Sequence, residues 1–164
     1  MKYLAFITLL IITSNIYAQE DNSQKNDSID CDKWLTKEVD EFSGEISFTA
    51  EVTDEVRFIK IKKGSTTRCY LSIRIKETGI YIGRGVTIIL QNGKRINKPN
   101  EKVECNYIAG GFYSSAFIAL TVADITLLKQ SGILKYKLYI STGELFNYFA
   151  KWSKDLFNCL MKAK

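Results

Sequence analysis

From Glu45 onward the chain alternates apolar and polar residues one by one, a period of two that a half-buried β-strand requires and a helix cannot satisfy. Ile46, Phe48, Ala50 and Val52 stand on one side of the first such run, with Ser47, Thr49 and Glu51 on the other. The pattern returns over Val56 to Lys62 and over Arg68 to Lys76, where Cys69, Leu71, Ile73 and Ile75 share a face. It continues over Val86 to Gln91, Lys94 to Asn97, Lys102 to Ile108, Phe112 to Leu120 and Leu134 to Ile140. Turn residues separate these runs: Lys63-Gly64-Ser65, Asn92-Gly93, Lys98-Pro99-Asn100 and Ala109-Gly110-Gly111. Asn92-Gly93 is the dipeptide suited to a two-residue type I′ hairpin turn. The expected fold is mainly β, a β-sandwich or flattened barrel of about eight strands, with a short helix and a C-terminal helix.

Two segments break the alternation. Thr121-x-x-Asp124 resembles a capping box, and Val122, Ile125 and Leu128 follow at helical spacing until Gly132. Ser141-x-x-Glu144 reads as the cap of a final helix, on which Leu145, Phe149, Trp152, Leu156 and Leu160 make an apolar stripe. Such a stripe needs a surface to cover, and the β domain is the expected one; a membrane or partner role is the alternative.

The N-terminus carries its own signal. Lys2 precedes an apolar run from Leu4 to Ile12, and a polar stretch then ends at Ala18, the order of a secretory signal peptide cleaved after residue 18. Thr13, Ser14 and Asn15 interrupt the run too early for a membrane span, and the mature chain is expected to have no transmembrane segment. Residues 19–30 read as a flexible acidic leader and residues 31–164 as one β-rich domain. Between Gln19 and Phe42 eight acids face three lysines, whereas from Ser43 onward nineteen Lys and Arg face ten acids. Export to the periplasm or the exterior permits disulfides.

Four cysteines allow three pairings. Cys69 and Cys105 lie in phase with inward-facing neighbours of their strands, while Cys31 and Cys159 flank the β region. The expected bonds are therefore Cys31 to Cys159 and Cys69 to Cys105. None of the four forms a CxxC pair, and the chain has no histidine, so no metal site and no cofactor is expected. Lack of histidine also removes Ser-His-Asp and Cys-His nucleophile activation. Paired carboxylates remain available for glycoside hydrolysis, with Glu45, Glu51, Glu77, Glu104 and Asp124 among the acids of the ordered part. Asp27, Asp30 and Asp32 lack the glycine and distal Glu of an EF-hand loop, and Gly79 to Gly85 fits no phosphate-binding motif.

Lys60, Lys62, Lys63 and Arg68 surround one expected hairpin tip and form the candidate anion-binding patch. Nucleic acid is not an expected partner of an exported chain without interleaved aromatic and basic motifs. Expected partners are an anionic glycan, a lipid headgroup or a protein. The segments Glu38 to Gly44, Val86 to Pro99 and Ser115 to Thr121 are similar to those of a group of small exported bacterial proteins of uncharacterised function. That resemblance implies export from a Gram-negative bacterium and supplies no activity. The expected function is a non-catalytic binding or accessory module. A lipocalin-like barrel carrying a small apolar ligand is the alternative, and a glycosidase-like enzyme the third.

Overall fold

A computed structural model describes residues 29–164. The expected signal peptide, and all but the last two residues of the expected leader, lie outside the described residues. The described residues form nine antiparallel strands and three helices: α1 (Cys31–Trp34), β1 (Leu35–Val39), β2 (Ile46–Glu51), β3 (Val56–Lys63), β4 (Thr66–Glu77), β5 (Gly83–Leu90), β6 (Arg95–Ile108), β7 (Gly111–Ala119), α2 (Val122–Gln130), β8 (Ile133–Leu138), β9 (Ser141–Glu144) and α3 (Asn147–Lys162). The strands make one curled half-barrel sheet in the order β1-β2-β3-β4-β7-β6-β5-β8-β9. The mainly β class, the short helix and the C-terminal helix agree with expectation; the sheet is a single open one rather than two stacked layers.

Strand β6 makes the curl. Its residues 95–103 pair with β5 and its last five residues pair with β7. Arg84 lies opposite Lys102 and Val86 opposite Lys98, so β6 carries extra residues around Pro99. A proline lacks the N–H that a regular ladder needs, and a bulge is where a strand tolerates it. Sequence reading ends one strand at Asn97 and begins another at Lys102; the chain instead passes through the bulge as one bent strand. The Asn92-Gly93 turn also differs from expectation. Only Gly93 is left-handed there, at φ 79°, and the loop spans residues 91–93, with Leu90 N–H bonded to Lys94 O at 2.9 Å. The two-residue turn with both residues left-handed occurs instead at Ala109-Gly110, at φ 47° and 83°.

The alternation sorts side chains as the sequence predicts. Phe48, Ala50, Phe58, Leu71, Ile73, Val86, Ile88 and Ile118 point into the concave face and are buried. Helix α3 fills that concavity with Leu156, Phe157 and Leu160, all fully buried, and Phe157 packs on Phe58 with ring centroids 4.8 Å apart. A Cβ on Gly132 would lie 1.6 Å from Ala150 O, so only glycine lets the strand entering β8 cross α3 this closely. Ser153 secures the crossing: its hydroxyl accepts from Ile133 N–H at 2.9 Å and donates to Ala150 O at 2.7 Å.

The Ser141-x-x-Glu144 segment is the main departure. It forms β9, and α3 begins at Asn147 with no side-chain cap. Ser141 to Glu144 pairs residue for residue with Leu138 to Lys135, the Lys135 ammonium meets Glu144 at 3.1 Å, and Gly143 lies flat against the Tyr136 ring. The pair with Lys135 engages the Glu144 carboxylate that a capping box would have used. The Thr121 capping box, by contrast, forms in full with Asp124.

Candidate recognition surfaces

The four basic residues expected at the β3–β4 hairpin divide between the two faces of the sheet. Lys60 and Lys62 share the phase of Phe58, on the concave side, whereas Lys63 and Arg68 lie on the convex side with Ile61 and Tyr70. Lys60 is 5% exposed and serves the fold. Its ammonium donates to Leu160 O at 3.2 Å, Met161 O at 3.0 Å and Ala163 O at 2.7 Å, closing the carbonyl end of α3. Burial draws the Lys60 ammonium below its ordinary pKa. Lys60 is thus a helix cap and not a member of a surface patch.

Lys63 and Arg68 belong to a wider basic surface. The outward phase of β3 and β4 carries Arg57, Lys63, Arg68, Arg74 and Lys76, that of β5 and β6 carries Arg84, Arg95 and Lys102, and that of β8 carries Lys135 and Lys137. The acids on this face are fewer: Glu38, Glu51, Glu104 and Glu144 on strands, with Glu45 beside β2 and Glu101 beside Lys102. Three of these are already paired, Glu51 with Arg57 at 3.5 Å, Glu104 with Lys102 at 2.6 Å and Glu144 with Lys135.

At the centre of this face Tyr70 and Phe117 stack, with centroids 4.7 Å apart and planes 22° from parallel, although Phe117 is 52% exposed. Shallow concavities lie on either side. One of about 500 Å³ is bordered by Glu45, Ile61, Lys63, Thr66, Arg68 and Tyr70. Another of about 240 Å³ is bordered by Ser72, Glu101, Lys102, Glu104, Ser115 and Phe117. Beside them the Arg74 guanidinium lies 5.6 Å from the Tyr113 ring centroid, with its Nε buried. The convex face therefore combines aromatic platforms with unpaired cationic donors. Sequence reading missed it because Phe117 reaches Tyr70 and Arg74 only through the pairing of β4 with β7.

Of the carboxylates weighed for hydrolysis, Glu51 and Glu104 are held in the ion pairs above, Glu45 borders the concavity beside Tyr70, and Glu77 has a buried oxygen without a hydrogen-bond partner. Besides the pairs above, Asp124 accepts from Lys98 at 2.6 Å and from Thr121. Burial raises the Asp124 pKa, and the Lys98 and Thr121 bonds outweigh it, so its carboxyl is held below the usual range. The Tyr136 hydroxyl donates to Glu55 at 2.6 Å, tying β8 to the β2–β3 turn; burial first, then Glu55, pushes that phenol above its ordinary value. Among the described residues no three His, Cys, Asp or Glu lie together as a metal site, and no helix is long and apolar enough to cross a membrane.

Cys31 and Cys159 form a disulfide, as expected from their flanking positions. It fastens α1 along α3, and beside it Trp34 meets Trp152 edge to face at 5.0 Å. The expected Cys69–Cys105 bond is corrected: both thiols are free. Cys105 lies opposite Ser114, and Ser114 lies opposite Ile75 on β4. Ile75 stands six residues along β4 from Cys69, so the two thiols are displaced by roughly 20 Å along the strands. Cys69 instead contacts Met161 Sδ at 3.8 Å, and Cys105 contacts Gly79 O at 3.8 Å. The chain matches no protein-family model, no curated protein and no solved structure.

Proposed function

We propose that this protein is an exported, non-catalytic binding module whose convex sheet face recognises a polyanionic partner, a sulfated or carboxylated glycan being the best fit. The observation that carries this is the collection of Lys63, Arg68 and Arg74 around the stacked Tyr70 and Phe117. Cationic donors supply attraction and on-rate, and flat aromatic faces suit the apolar side of a sugar ring. Filling of the concave face by Leu156, Phe157 and Leu160 supports recognition at the surface over carriage of an apolar ligand inside. The N-terminal pattern ending at Ala18 and the Cys31–Cys159 disulfide both favour export.

Heparin, a sulfated polysaccharide, is the probe. Wild-type protein is expected to bind it with an affinity that falls as salt rises. The double substitution Lys63→Glu and Arg68→Glu should weaken binding by roughly tenfold or more, since two attractions become repulsions. Retention of full affinity in a folded double variant would defeat the proposal.

A further inference from the structure

The end of the sheet where β4, β6 and β8 finish gathers exposed apolar side chains from three separate tips. Ile80 and Ile82, 64% and 67% exposed, stand on the loop 78–82 between β4 and β5. Tyr107 and Ile108 lead into the β6–β7 turn, 67% and 42% exposed. Tyr139 and Ile140 form the whole β8–β9 turn, 44% and 53% exposed. Register brings the tips to one end. Gly83 pairs with Val103, Cys105 touches Gly79 O, and the Tyr139 ring lies over Gly83 so closely that a Cβ there would be 2.5 Å from it.

Two of these turns use residues that the backbone does not favour. Tyr139 is left-handed at φ 54° and Ala109 at φ 47°, positions where Gly, Asn or Asp would sit more easily. The Tyr139 ring covers Gly83, whereas the Ile140 that follows it stays 53% exposed. Around these tips stand the basic side chains of Lys76, Arg84 and Lys137. Of the acids nearby, Glu55 and Glu104 are engaged by Tyr136 and Lys102, Glu77 at the end of β4 is half-buried with one oxygen out of solvent, and Asp54 is the exposed acid of the β2–β3 turn.

We propose that this end of the sheet docks on an anionic lipid bilayer. The Ile side chains enter the acyl boundary, the tyrosines lie at headgroup depth, and Lys76, Arg84 and Lys137 meet the lipid phosphates. Charge complementarity and the separate, protruding tips favour a bilayer over a protein partner, which would meet a continuous, complementary patch. Docking goes beyond the polyanion reading: the inserting side chains are not those of the Tyr70–Phe117 centre, so the two fail separately.

The experiment is co-sedimentation with equimolar phosphatidylglycerol–phosphatidylcholine vesicles, beside pure phosphatidylcholine vesicles and heparin. Wild-type protein should sediment with the anionic vesicles and stay in solution with the neutral ones. Ile82→Asp combined with Ile140→Asp should weaken vesicle binding by roughly tenfold or more, since each removes an apolar side chain from the acyl boundary, while heparin binding is kept. Ile140→Trp should be quenched by brominated lipid, a readout that loss of folding would not produce. Equal sedimentation of the double Asp variant, an unquenched tryptophan, or concentration-dependent self-association abolished by the same substitutions would overturn the proposal.

Discussion

At Lys60 one side chain decides how a helix ends. The ammonium satisfies three carbonyls that the last turn of α3 leaves without partners, and it sits at the negative end of the helix dipole. Exchange for methionine keeps the volume and leaves those carbonyls buried or half-buried without a donor. Lys60→Met should therefore cost about 2–4 kcal/mol and lower Tm by roughly 5–15 °C, with heparin affinity unchanged. Thermal denaturation and heparin chromatography check the two halves; an unaltered Tm would deny the cap, and lost heparin binding would return Lys60 to the recognition surface. From the sequence, Lys60 was indistinguishable from Lys62 and Lys63. Phase places a lysine on the inward side, but only the arrival of α3, a hundred residues later, gives it a partner.

Among the elements, the strands in the middle of the sheet were legible because each has one wet and one dry face. Edge strands β1 and β9 were not. Thr36, Lys37, Glu38 and Val39 are all exposed, so no alternation marks them. Ser141 to Glu144 has the letters of a helix cap, and its strand form is decided by β8 and by the fit of Gly143 on Tyr136. The cysteines make the same point: phase gives the face of a strand and not the height along it, hence the correct outer bond and the incorrect inner one. The Cys31–Cys159 bond closes a separation of 128 residues, and on the chain-entropy account its loss costs about 3–5 kcal/mol. Reduction, or Cys31→Ser with Cys159→Ser, should lower Tm clearly, and alkylation of the oxidised protein should mark Cys105 faster than Cys69, which is only 6% exposed. A Cys69–Cys105 peptide in a non-reducing digest would contradict this arrangement.

Taken whole, the described residues form a curled sheet closed on its inner side by its C-terminal helix, and among them nothing covers the outer face or the strand ends. The mainly β class followed from alternation and turn spacing. Strand order did not, because β4 pairs with β7 and β5 with β8 across long stretches of chain, and local pattern carries no record of such neighbours. The basic convex face emerged from that order, by setting Tyr70 and Arg74 beside Phe117. Chemical-shift mapping with a heparin-derived oligosaccharide tests its role most directly. The largest changes should fall at Lys63, Arg68, Tyr70, Arg74 and Phe117; changes centred on Trp34, Tyr148 and Trp152, or on the concave side around α3, would contradict recognition by the convex face.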